Sequence, residues 1–178
     1  VKGLENKSFF YDNKKAQKAI DYFENHVFHV EGPKAPGKIE LELWQKAFLS
    51  VIFGIVDENN YRQFREVVLV IARKNGKSLF ASAIMAYVAF LDDEYGAEIY
   101  CLAPKLEQAE IVYSCFWQIC LSEDEIKDKI QKRGRQSDFY ISDTNTVIKK
   151  VAFNAKKSDG FNPHLVVCDE IASWIGDP

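Results

Sequence analysis

Residues 71–80, IARKNGKSLF, gather the chemistry-bearing side chains of this chain most densely. Gly76, Lys77 and Ser78 supply the second half of a phosphate-binding loop of the form G-x-x-x-x-G-K-[ST]. Ile71 stands where the first glycine of that form belongs, and Arg73, Lys74 and Asn75 fill the interior of the loop. A glycine before a helix lets the backbone approach phosphate oxygens, and the helix N-terminus offers unpaired N–H groups and the positive end of its dipole. Lys77 has the charge and reach to bridge β- and γ-phosphates, the Ser78 hydroxyl can complete a Mg²⁺ shell, and the forked donors of Arg73 can reach phosphate oxygens.

A second group of residues fits the same chemistry. In HLVVCDE, residues 164–170, four apolar residues lead into Asp169 and Glu170. Ligands of open α/β sheets bind at the carboxyl ends of strands, where one acid can hold Mg²⁺ and its neighbour can orient and polarise an attacking water. A strand ending in Asp-Glu is weak evidence alone, as is Gly-Lys-Ser at a helix start. Their combination, about 90 residues apart with other strands between, is more specific. Upstream, the amide of Gln45 can pair with the donor and acceptor edge of adenine, whereas Trp44 beside it reads as a helix-packing residue.

The elements that must position these groups follow from periodicity. Ala16, Ala19, Ile20, Phe23 and Val27 recur at helical spacing in residues 13–30, and ELWQKAFLSVIFGIV reads as a second helix ending near Gly54. REVVLVIA, residues 65–72, is a β-branched run that predicts a strand buried on both faces, and GKSLFASAIMAYVAFL predicts the helix after it. AEIYCLAP predicts a buried strand, KLEQAEIVYSCFWQICL a helix, and DFYISD with TVIKKVAFN a hairpin turning through Asp143–Asn145. HLVVCDE predicts a third buried strand. Strands alternating with helices of this length indicate an α/β fold with a mainly parallel central sheet flanked by helices.

Composition narrows the class. The 178 residues are 47% hydrophobic, enough for a compact core, and a net charge of −3 confines any nucleic-acid contact to a local patch. No apolar run is long enough to cross a membrane, and no secretory signal opens the chain. The four cysteines form no C-x-x-C pair and read as reduced thiols, three of them in apolar surroundings. His26 and His29 lack the neighbours of a zinc site. A start at Val1 and an end at WIGDP read as a piece of a longer polypeptide.

The stretches LELWQKAFLSVIFG, FREVVLVIARKNGKS, AEIYCLAPKLEQAEIVY and SDGFNPHLVVCDEIASW occur in the order seen in large terminase subunits of tailed bacteriophages. Residues from about 38 to 175 resemble the ATPase domain of those DNA-packaging motors. The resemblance implies a three-layer P-loop NTPase of the additional-strand, RecA-like type. It implies an ATPase domain over residues 38–178 after a helical lead-in and loop over 1–37. An arginine-bearing variant of the phosphate loop is common in the family, which accounts for the missing glycine. It further implies that Gln45, Arg73, Lys74, Asn75, Gly76, Lys77 and Ser78 bind ATP, that Ser78 and Asp169 hold Mg²⁺, and that Glu170, Lys77 and Arg73 act in catalysis. The implied partners are double-stranded phage DNA, the portal of the procapsid, the small terminase subunit and further copies in a ring. The implied location is the bacterial host cytoplasm.

The family's coupling motif and nuclease carboxylates are expected beyond Pro178, so this piece is expected to be largely monomeric and not to cut DNA. Some relatives carry an arginine finger just before the acidic pair, where this chain reads NAKKSDG; Arg133 and Arg135 lie in a basic segment that reads equally as a solvated turn. CLAPKLEQA also resembles helicase-like DNA translocases. A fragment that binds portal or small subunit without catalysis is the reading from a different class.

Overall fold

The computed structural model describes residues 8–72, 74–134, 138–152 and 161–171. The chain forms two compact units, residues 1–72 and 73–178.

In the first unit, strand β1 (Phe10–Tyr11) pairs antiparallel with β2 (Ile55–Val56), closing helices α1 (Asn13–His26) and α2 (Leu43–Gly54) into a hairpin. Asp12 caps α1, its Oδ1 accepting the N–H groups of Lys14 at 2.8 Å and Lys15 at 3.2 Å. The periodic apolar positions Ala16, Ala19, Phe23 and Val27 are buried, as are Leu49 and Phe53 of α2. Gly54 is required by close approach: a Cβ there would stand 2.8 Å from the Tyr11 ring and 2.9 Å from the Ala16 methyl.

The expected strand over residues 65–72 is not formed. These residues are irregular, and Val68 and Val70 are 74% and 88% exposed. A β-branched run becomes a strand only where another strand completes its backbone hydrogen bonds, and among the described residues this run has no ladder partner.

The second unit is a five-stranded mixed sheet in the order β4 (Ile130–Arg133), β5 (Asp138–Ile141), β6 (Thr146–Ala152), β3 (Glu98–Ala103), β7 (Leu165–Cys168). Strands β6, β3 and β7 run parallel, and β4 and β5 extend the sheet antiparallel. The β5–β6 hairpin turns through Asn145, whose φ is 55°. Helices α3 (Lys77–Leu91) and α4 (Leu106–Ser122) pack on one face, and α5 (Asp124–Lys127) follows as a single turn. Met85 of α3 meets the thiol of Cys101 on β3 at 3.2 Å, and the Tyr113 ring of α4 stacks on Phe139 of β5 at 4.2 Å. Cys101, Cys115 and Cys120 are buried and Cys168 is exposed, and all four are thiols and not disulfides.

Strand β7 also departs from expectation. Among the described residues it lies at the sheet edge with a ladder on β3 alone; Leu165 and Val167 are half-buried while Val166 and Cys168 are exposed. Strand β4 falls in a charged stretch that carries no strand signal, because an edge strand tolerates charge on its open side.

Phe139 is 1% exposed and is surrounded by the rings of Tyr113, Phe116 and Trp117. Phe139→Ala should therefore lower unfolding free energy by about 3–5 kcal/mol in a urea titration, with Phe139→Leu costing clearly less.

Candidate functional site

The loop before α3 is built from left-handed backbone. Lys74 has φ 68° and Gly76 φ 71°. A Cβ at Gly76 would meet nothing within 4 Å, so backbone conformation and not crowding is what calls for glycine there. Lys74 adopts the same region with a side chain, a strain of the kind that collects at ligand-binding loops. The N–H of Phe80 donates to the Gly76 carbonyl at 2.9 Å, the first bond of the helix. By helix geometry the preceding N–H groups, of Lys77, Ser78 and Leu79, have no carbonyl one turn back and are available to an anion. Arg73 lies outside the described residues.

Strand β7 brings the acids to this helix start. The N–H of Asp169 donates to the Leu102 carbonyl at 3.1 Å, which extends the ladder with β3 to the residue that carries the carboxylate. Asp169 is only 9% exposed, and its Oδ1 also accepts the N–H of Glu170 at 2.8 Å. Glu170 turns away from the strand with φ 52°. The Lys77 Nζ sits between the two acids, 2.8 Å from Asp169 Oδ1 and 2.7 Å from Glu170 Oε1. Burial alone would lower the Lys77 pKa, but the hydrogen bonds and charges of Asp169 and Glu170 outweigh it and hold the ammonium above its usual range.

Ser78 follows Lys77 in the first turn of α3. Its carbonyl accepts the Ser82 hydroxyl at 2.7 Å, and the same hydroxyl lies 2.8 Å from the Val112 carbonyl of α4. Ser82, fully buried, thus ties the first turn of α3 to the neighbouring helix. In the sequence Ser82 is one of several small residues along an apolar helix, and nothing local sets it apart.

Gln45 belongs to the first unit, and its Oε1 accepts the N–H of Glu42 at 2.8 Å, as in a capping box at the start of α2. This bond occupies one lone pair and leaves the amide donors. Trp44 is not packed inward: it is 36% exposed, and its indole N–H donates to Glu42 Oε2 at 2.6 Å. Arg133 stands over the Tyr140 ring at 3.5 Å on the outer strand β4; Arg135 and the NAKKSDG stretch lie outside the described residues.

A left-handed loop, a helix N-terminus, a lysine and two strand-end acids therefore converge on one point. The family described as "Terminase large subunit, ATPase domain" matches residues 43–178. The chain belongs to that family. Its fold also resembles that in the crystal structure of the HK97 bacteriophage large terminase, with a TM-score of 0.71 at 20% identity. The likeness covers 86% of this chain and 30% of that one, so the chain spans under a third of that terminase. No curated protein matches. The family match favours the terminase reading over the helicase-like one suggested by CLAPKLEQA.

The carboxylates of this ATPase domain make a testable mark on stability. The folded-state pKa of Lys77 lies above its ordinary 10.5, so its contribution is complete below that value and is lost as pH rises through the raised one. The difference in urea unfolding between wild type and Lys77→Met should be level near neutral pH and shrink above 10.5. It should be small throughout, since the side chain is 34% exposed.

Proposed function

We propose that the site binds ATP with Mg²⁺ and hydrolyses it, and that hydrolysis powers movement of double-stranded DNA into a procapsid. The observation that carries the reading is the Lys77 ammonium at the head of α3, within 2.8 Å of both Asp169 and Glu170. The ATPase domain is taken as residues 38–178, with 1–37 as a helical lead-in. The proposed partners are DNA, the portal, the small terminase subunit and further copies of the chain in a ring, acting in the bacterial host cytoplasm.

The donor set fits a hard divalent cation. Among the described residues no three His, Cys, Asp or Glu side chains cluster, and the Asp169 carboxylate with the Ser78 hydroxyl would hold the cation together with the bound nucleotide. Bound there, Mg²⁺ would supply charge neutralisation to the phosphates. The chain's own groups do the rest. The N–H groups of the first turn of α3, with Lys74, Asn75 and Gly76, cradle the phosphates. Lys77 exchanges its carboxylate partners for phosphate oxygens, and Arg73 adds a second cation. Release of Lys77 frees Glu170 to accept a hydrogen bond from the attacking water, orienting it and taking up its proton. Gln45 reads the adenine edge through its amide.

Two substitutions separate binding from chemistry. Lys77→Ala should abolish most affinity for a non-hydrolysable ATP analogue in a fluorescence titration, since a charge-assisted contact is lost. Wild-type affinity in that variant would sink the phosphate-loop assignment. Glu170→Gln keeps size and hydrogen bonding, so the analogue should still bind while turnover drops by roughly 10²-fold or more. Unchanged turnover would place the base elsewhere.

A further inference from the structure

We propose that His164 is a positioning residue for this reaction: clamped to Asp92, it sets where Asp169 and Glu170 stand relative to Lys77. The inference rests on the ATP-hydrolysing reading of those three residues.

Helix α3 carries Lys77 at its first position and Asp92 at its C-cap, and β7 carries Asp169 and Glu170 past its end and His164 just before its start. The two elements are therefore joined at both extremities. At the site end Lys77 bridges to the acids at 2.8 and 2.7 Å. At the far end His164 Nε2 lies 2.7 Å from Asp92 Oδ2, across 72 residues of sequence, with the two side chains only 22% and 18% exposed. A carboxylate accepts, so Nε2 donates.

The far bond is needed because β7 is weakly constrained. Among the described residues it is a four-residue edge strand with one ladder, which fixes it against β3 through bonds from His164 N–H to the Glu98 carbonyl at 2.8 Å and from Asp169 N–H to the Leu102 carbonyl at 3.1 Å. The segment before it is tied to β3 as well: Phe161 stacks on Tyr100 at 4.6 Å, and Asn162 N–H donates to Glu98 Oε2 at 3.2 Å. All of these place β7 in the sheet. Catalysis needs β7 placed against α3, because Lys77 and Ser78 are on the helix. When Lys77 leaves the acids for phosphate, the site-end bridge opens while the His164–Asp92 hydrogen bond still joins the two elements at their far end. A misplacement of about 1 Å between reacting groups can cost roughly 10²-fold in rate.

The test uses the chain as it exists, in three variants: His164→Ala, His164→Gln, whose amide can still donate to Asp92, and Asp92→Asn. ATP-analogue affinity, kcat and KM are measured together with amide hydrogen exchange. His164→Ala should bind the analogue within about threefold of wild type, lose roughly tenfold to a hundredfold in kcat, and exchange faster at Cys168–Glu170 while β3 and β6 stay protected. His164→Gln should recover most of the rate, and Asp92→Asn should fall between. Unchanged kcat and exchange in His164→Ala would overturn the proposal. So would a parallel fall in affinity, rate and protection across the sheet that glutamine does not rescue, which marks a merely structural residue. A wild-type chain that binds no nucleotide would instead sink the functional reading, and the exchange data would still decide whether the clamp holds β7.

Discussion

Asp169 and Glu170 are adjacent in the chain and both point at the head of one helix, an arrangement that like charges resist unless a cation lies between them. Lys77 is that cation, 2.8 Å from one and 2.7 Å from the other. Much of the second unit can be read as what this contact requires. The central strand β3 carries the ladder that brings β7 to its place, and the Ser82 hydroxyl locks the first turn of α3 to α4. Lys74 and Glu170, on either side of the cation, are two of the left-handed residues of this unit that are not glycine. Conformations of this kind cost on the order of 1–3 kcal/mol each and persist where their surroundings hold them.

The largest aromatic cluster of this unit lies elsewhere in the sheet. The rings of Tyr113, Phe116, Trp117 and Phe139 pack α4 onto the antiparallel half of the sheet, remote in the strand order from β7. The outer strand β4 shows Lys132 and Arg133 to solvent, charge that discourages pairing with another strand. Their cations are not idle, since Lys132 sits over Trp117 at 4.7 Å and Arg133 over Tyr140 at 3.5 Å. The aromatic packing thus centres on β5, while the carboxylates of the site follow β7 at the other end of the strand order.

Legibility from sequence varied with the kind of constraint. Helix α1 carries apolar residues at the period of its own backbone and α2 to α4 are long runs rich in apolar residues, so their positions could be read locally, as could β3 and the β5–β6 hairpin with its turn residues. Residues 65–72 have the composition of a buried strand yet form none, because strand formation depends on a partner that local composition does not contain. β7 was misjudged in degree for the same reason: four apolar residues look alike at a sheet centre and at an edge. β4 was invisible, its charged side chains being compatible with an edge strand and with a solvated turn alike.

The sequence by itself determined the chemistry on offer: a glycine with the conformational freedom a left-handed loop needs, a lysine and serine at a helix start, and two acids after an apolar strand. These are properties of residue types and short spacings, which survive without knowledge of the fold. Only the tertiary structure decided that Lys77 meets Glu170 across 93 residues and that Asp92 meets His164 across 72. Such pairings depend on strand order and on the packing of α3 over the sheet. Those are set by burial and backbone hydrogen bonding over the whole unit, and no local stretch of sequence encodes them.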